Sequence, residues 1–329
     1  MEQVWTQARK RQGISNTFQT RKRKLVYMKV SEQFYSLQGE GIFTGVPSYF
    51  IRFFGCSLQC QGFGQKEPSK PETWVQPWKT INIEKIEKLE DLPAEIYEYG
   101  CDSVYSWSAK FKHLQQEMTA KSVVDKMESD LGDLFEKVYT GDVHIVWTGG
   151  EPLLKFNQKY ILEIIEELRN RNPLKSELSD MGWDSVCEFS MTIETNGTQH
   201  LLPELKTELA KHNTNISCSP KLLHTSGEKP EKAIKPDAIK DLFTIDGATT
   251  CLKFVLADTD EAKAELLNTL QLIQDKLEYI KPLIYLMPEG PNKYRVQSNS
   301  RQIAEFAMKH GFRFSDRLHA HLWDNKIGV

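Results

Sequence analysis

The feature that most constrains this chain is a repeated alternation of strand-like and helix-like segments. "PSYFIRFFG" (47–55) reads as a buried strand, "AKSVVDKMESDLGDLFEKVY" (120–139) carries apolar residues at helical spacing, and "VHIVWTGG" (143–150) is a strand again. The alternation continues through helix "QKYILEIIEELRNR", strand "CEFSMTIETNG", helix "LPELKTELAKH" and strand "NISCSP". Strand "TCLKFVLAD", helix "DEAKAELLNTLQLIQDKLEYI", strand "PLIYLMPEG", helix "SRQIAEFAMKHG" and a last strand "FRFSDRLHAHLW" complete it. This rhythm predicts an α/β fold with a mostly parallel sheet and crossover helices. In such sheets ligands gather at the carboxyl ends of the strands. The small and polar stretches "TGGEP", "ETNGT", "SPK" and "LMPEG" fall in that position.

Composition narrows the function classes. The 329 residues are 40% hydrophobic and 26% charged with a net charge of -3, which suits a globular chain of one large domain or two small ones. A near-neutral chain predicts no broad nucleic-acid surface, and no apolar run is long enough for a membrane span. Six cysteines without a regular framework point to a reducing cytoplasmic setting in which thiols serve metals or packing. Residues 1–27, with "ARKRQ", "RKRK" and the single acid Glu2, read as a disordered basic extension or an upstream start before Met28, in preference to a nucleic-acid-binding arm, ahead of one unit at 28–329. Residues 61–100, rich in Pro, Lys and Glu, break the rhythm and read as a loop insertion with a weak helical patch near 83–92.

"FIRFFGCSLQCQGFGQ" runs a strand into Cys56 and Cys60, a pair that calls for a third thiolate. None follows nearby, and Cys101 is the candidate, some forty residues on. Three thiolates can hold three irons of a 4Fe–4S cluster and leave the fourth open. Closing about 41 residues rather than about 3 costs roughly 2–2.5 kcal/mol, small beside metal-site energies of about 10 kcal/mol. Zinc is the weaker candidate, because no fourth Cys or His stands at zinc spacing. Cys187, Cys218 and Cys251 lie in strand-like runs and are expected in the core.

Several polar residues stand out by position. Gly149 and Gly150 remove side chains at a strand end, so that backbone can approach a ligand, and Glu151 can accept from an ammonium. Glu194, Thr195 and Asn196, like Ser219 and Lys221, offer donors and acceptors after strands. Gln38 and Glu40 form a polar pair in a glycine-containing loop. Arg52 sits inside an apolar strand, where a guanidinium needs an anion, either a ligand or a structural partner. His319 and His321 alternate in a strand-like stretch and are expected on one face.

Taken in order, "FYSLQGEG", "TGVPSYFIRFFGCSLQC", "CDSVYSW", "WTGGEPLL", "IETNGT", "SPK", "KFV", "LMPEG" and "FRFSDRLHAHLWDNKIGV" resemble the radical S-adenosylmethionine (SAM) enzymes, and among them the 7-carboxy-7-deazaguanine synthases. The resemblance implies a modified partial (β/α) barrel and conversion of 6-carboxy-5,6,7,8-tetrahydropterin to 7-carboxy-7-deazaguanine with loss of ammonia. It implies a 4Fe–4S cluster on Cys56, Cys60 and Cys101, and Mg²⁺ at Ser103. SAM is assigned to Gly149, Gly150, Glu151, Glu194, Thr195, Asn196, Ser219 and Lys221. The substrate is assigned to Leu37, Gln38, Glu40, Arg52, Thr148, His319 and the terminal Val329. It also implies an external electron donor such as flavodoxin, and a homodimer. The family pattern is Cys-x3-Cys-x2-Cys followed by Asp-Thr. Here Phe63 stands at the third cysteine, "CDS" at 101–103 carries the signature downstream, and either Tyr99 or Phe63 takes the place of the aromatic that normally precedes it.

Overall fold

The computed structural model describes residues 27–173, 189–324 and 326–328. Residues 1–26 of the basic segment, Cys187 and Val329 lie outside the described residues. The structure is mixed α/β with a nine-stranded sheet: β1 (Met28–Leu37), β2 (Pro47–Phe53), β3 (Gln116–Met118), β4 (His144–Gly149), β5 (Ser190–Thr195), β6 (Asn213–Cys218), β7 (Thr249–Leu256), β8 (Leu283–Pro288) and β9 (Arg313–Phe314). The spatial order is β3-β1-β2-β4-β5-β6-β7-β8-β9. β1 runs antiparallel to both β2 and β3, whereas every pair from β2 to β9 is parallel. β1, the longest of these strands, precedes the first strand expected from the sequence, at 47–55.

Helices α1 (Ala120–Leu131), α2 (Lys155–Arg171), α3 (Pro203–Leu209), α4 (Pro236–Phe243), α5 (Asp260–Leu277), α6 (Lys293–His310) and α7 (Leu318–Trp323) accompany the strands. Their ends follow local chemistry. Thr119 and Ser122 form a reciprocal cap at the start of α1, and Gly132 at φ +52° ends it, so the helix expected over 120–139 breaks there. Thr259 caps α5, while Asn292 caps α6 and Gly311 closes it in the left-handed conformation. Because consecutive parallel strands always add on the same side, right-handed crossovers put their helices on one face of the sheet. That face carries Tyr49, Ile51, Phe53, Ile145, Trp147, Ile193, Ile216, Leu252 and Phe254, all fully buried. α2 meets it with Tyr160, Ile161, Ile164, Ile165 and Leu168, each burial contributing roughly 1.5–3 kcal/mol before entropy is counted.

Period-two alternation turns the other strand residues to the opposite face. There, Arg52 is level with Thr148, and Glu194 with Ser217. The expected last strand is a correction: only Arg313–Phe314 pairs, and Leu318–Trp323 is helical. His319 and His321 therefore do not share a face as alternating strand residues would.

Residues 61–115 contain no strand and no α-helix; a series of 3₁₀ turns includes two short ones within the 83–92 patch. They build a second hydrophobic cluster from Trp78, Ile83, Leu92, Ile96, Tyr97, Val104, Tyr105, Phe111 and Leu114. The segment thus packs around a core of its own, more than a solvated loop would.

Candidate active site

The polar sheet face and the loops beyond the strand ends enclose a cavity of about 330 Å³. Cys56, Cys60 and Cys101 all line it, and Cys60 lies close enough to both other thiols for each to influence it. The structure therefore brings the three candidate thiols together. One hydrogen bond accounts for this: Gly100 N donates to Phe63 O at 2.8 Å. The inserted segment leaves and returns at one point, so Cys101 follows Phe63 in space although it is far from it in sequence.

The cysteine turn is held from outside. Cys60 adopts φ +51°, a left-handed conformation that costs a non-glycine residue energy. Its N–H and that of Gln59 both donate to the Glu228 carboxylate, at 2.8 and 2.5 Å. Gly62 N donates to Ser226 O at 2.9 Å. Burial, then the Glu151 charge, pushes the Cys56 thiol up to about 12; burial also raises Cys60 and Cys101. All three are free thiols. Leu58 N donates to Cys56 Sγ at 3.4 Å and Asn196 Nδ2 approaches it at 3.7 Å. The Trp107 indole faces the Cys101 sulfur outside hydrogen-bond geometry. Among the described residues no three His, Cys, Asp or Glu side chains converge on a position for a single metal ion. A multi-iron cluster makes a different demand, because each thiolate binds its own iron.

The glycine pair works differently from the sequence expectation. A Cβ on Gly149 would lie 2.4 Å from Phe53 O, and one on Gly150 would lie 2.3 Å from Gly55 O. The space is taken by the backbone of the cysteine loop, which Gly150 N and Glu151 N bind through Phe53 O and Gly55 O. Glu151 is a second correction. Its side chain is fully buried, does not line the cavity, and accepts from Leu153 N, Thr195 Oγ1 and Asn196 N at 2.8–2.9 Å. Burial raises its pKa to about 7. It ties the loop after β4 to the loop after β5 and has no free oxygen face to offer an ammonium.

The remaining expected residues lie on the cavity wall. Glu194 accepts from Gln38 Nε2 at 3.1 Å, and Lys221 Nζ donates to Ser219 Oγ at 2.9 Å. Thr195 and Asn196 line the wall while bracing Glu151 and Ser57. Leu37 and Thr148 line it too. Ser103 Oγ lies 3.5 Å from Cys101 Sγ. Phe63 lines the cavity and Tyr99 does not. Arg52 has the structural anion that the sequence left open, Glu32 at 2.7 Å from its Nε. Its Nη atoms have no hydrogen-bond partner among the described residues, and Glu32 also accepts from Tyr105 Oη at 2.6 Å.

A charged cluster closes the far side. Glu40 pairs with Lys253 and, at 3.3 Å, with Arg317 Nε; burial alone would raise its pKa, but these two cations hold it well below the carboxylate range. Arg317 also reaches Asp102 at 2.8 Å and Gly290 O at 2.6 Å. His319 sits over Gly39, where a Cβ would strike its Nδ1 at 2.0 Å, and burial lowers its pKa so that it stays neutral at pH 7. Sequence reasoning missed Lys253, Arg317, Glu32 and Tyr105. Lys253 carried the same signal as Arg52, a cation inside an apolar strand.

Fold and cavity together define an α/β protein whose strand ends, loops and inserted segment bring three thiols, cations and amides to one small-molecule pocket. No family model matches the chain. The 7-carboxy-7-deazaguanine synthase of Halobacterium salinarum is 27% identical over 307 residues, covering 91% of this chain and 91% of that protein. The synthase of Pyrobaculum aerophilum is 25% identical over 92% of this chain and 97% of its own length, and that of Escherichia coli is 32% identical over 59% and 60%. Among solved structures, the crystal structure of QueE from Escherichia coli aligns with TM-score 0.46 and 19% identity over 89% of this chain and 95% of that one. Over some nine-tenths of its length the chain is similar to curated 7-carboxy-7-deazaguanine synthases.

Proposed function

We propose that residues 28–329 form one catalytic unit that converts 6-carboxy-5,6,7,8-tetrahydropterin to 7-carboxy-7-deazaguanine with release of ammonia, by radical SAM chemistry on a partial (β/α) barrel. The observation that carries this reading is that Cys56, Cys60 and Cys101 line one cavity together with Arg52 and Gln38. The donor set fits a cluster. One buried and two half-buried thiols with amide and indole N–H groups around them suit iron–sulfur ligation, and their raised pKa values mean that loading must displace protons. A reduced 4Fe–4S cluster held by Cys56, Cys60 and Cys101, with SAM beside it, would supply one-electron radical chemistry.

This chain's residues bind, orient and exclude water. The free Nη edge of Arg52 suits the substrate carboxylate, fixed in direction by Glu32 and Tyr105. Ser103 is the residue for Mg²⁺, which takes few protein oxygens and keeps waters beside the substrate. Ser219, Lys221, Glu194 and Asn196 suit the polar groups of SAM, whereas Glu151 acts by positioning Thr195 and Asn196. Neutral His319 offers a donor and an acceptor without adding charge. An external electron donor such as flavodoxin, and a homodimeric assembly, belong to this reading. No described helix is long and apolar enough to cross a membrane.

The test is anaerobic reconstitution with iron and sulfide, then incubation with the pterin, SAM and a reductant. A product lighter by one ammonia is expected. Iron-loaded protein that leaves the pterin unchanged overturns the proposal. A scaffold that has lost cluster capacity is the second reading, motivated by Phe63 at the cysteine position; it predicts a chain that stays colourless after reconstitution.

A further inference from the structure

We propose that the Tyr97 hydroxyl, supplied by the inserted segment, is a substrate contact that hydrogen-bonds a polar ring edge of the bicyclic pterin. This inference rests on the function proposed above. Tyr97 is 5% exposed and lines the same cavity as Arg52 and Gln38. Its hydroxyl is buried without a hydrogen-bond partner among the described residues. A buried hydroxyl left unpaired is destabilising, and a ligand polar atom in the cavity that Tyr97 lines would supply the missing partner.

The position of that oxygen is fixed. The Tyr97 ring packs edge-on against Tyr105 with centroids 6.2 Å apart, and Tyr105 is tied through Glu32 to Arg52. The hydroxyl is thereby held at a set place relative to the guanidinium proposed to take the carboxylate. Burial and the charges of Glu32 and Asp102 keep it protonated, so it can both donate and accept. A neutral group of that kind matches the carbonyl and N–H groups of a pterin ring better than a carboxylate, which calls for a cation. The segment that displaces the third thiol in sequence thus also adds a wall group to the pocket.

The experiment compares reconstituted wild-type and Tyr97→Phe protein for equilibrium binding of 6-carboxy-5,6,7,8-tetrahydropterin in the presence of SAM, and for melting without the pterin. Loss of one hydrogen bond should raise the pterin Kd about tenfold, near 1.4 kcal/mol. SAM affinity and iron content should not change. Melting without the pterin should be unchanged or higher, because phenylalanine leaves no oxygen unpaired. An unchanged Kd in the variant overturns the inference while leaving the activity standing; a lowered melting temperature also overturns it, by revealing a structural partner. A wild-type chain that does not bind the pterin overturns the functional reading and this inference with it.

Discussion

Replacing Gly150 by alanine should damage the cysteine site without touching a thiol. The added Cβ would lie 2.3 Å from Gly55 O and 2.9 Å from Cys56 Cβ. Ordinary contact begins near 3.4 Å, so the loop carrying Cys56 must retreat by about 1 Å, the difference between 3.4 and 2.3. Overpacking of this kind costs about 1–3 kcal/mol. The retreat also weakens the 2.8 Å bond from Glu151 N to Gly55 O, a further loss of about 1 kcal/mol. The sum, about 2–4 kcal/mol, corresponds to roughly 4–8 °C in Tm at about 2 °C per kcal/mol for a chain of this size. Thermal unfolding measures the first effect, and iron per chain after anaerobic reconstitution measures the displacement of Cys56. A Gly150→Ala protein with wild-type Tm and full iron content would refute the view that the glycine pair exists to admit the cysteine loop.

Other perturbations separate the parts of the site. Cys101→Ala should lower bound iron and abolish colour while leaving Tm within about 2 °C of wild type, given a modest exposure change; unchanged iron would remove Cys101 from the ligand set. Arg317→Met leaves Glu40 with Lys253 alone and takes a donor from half-exposed Asp102 and from Gly290 O, and should cost about 1–3 kcal/mol, read by denaturant unfolding. His144 is buried between Ser190 and Thr192, and burial lowers its pKa from 6.5 to about 4. The unfolded chain binds its proton below pH 6.5 and the folded chain does not, so stability should fall by about 3 kcal/mol as pH drops from 6.5 to 4. A His144→Gln protein should show a flatter profile over that window, and an equally steep one would exclude the histidine as the cause. Glu151→Gln keeps one oxygen for Leu153 N and Thr195 Oγ1 but turns its amide N–H₂ toward the Asn196 N–H, and should cost about 1–3 kcal/mol, seen as a lower Tm.

The sequence by itself determined the layered α/β plan, because apolar periodicity of two and of near four is printed in the order of the residues and needs no partner to be read. It located the strand-end loops, the Cys56–Cys60 pair and the buried cation Arg52. It did not determine which side of a strand-end residue would meet a ligand. Glu151 and the glycine pair share the cavity's loops, yet their open sides are filled by Leu153, Asn196 and the backbone at 53–55. Nor could it join Cys101 to its partners. That juxtaposition depends on the Phe63–Gly100 bond and on the hydrophobic cluster of the insertion, contacts between residues far apart in the chain. The helical turn at 318–323 is a further case: its alternating residues imitate a strand, and only packing of the C-terminal segment against Gly39, Glu40 and Gly290 decides otherwise. Local periodicity fixes an element where one face is uniformly buried. A pocket wall, where polar side chains are buried by one another, is decided by the tertiary structure alone.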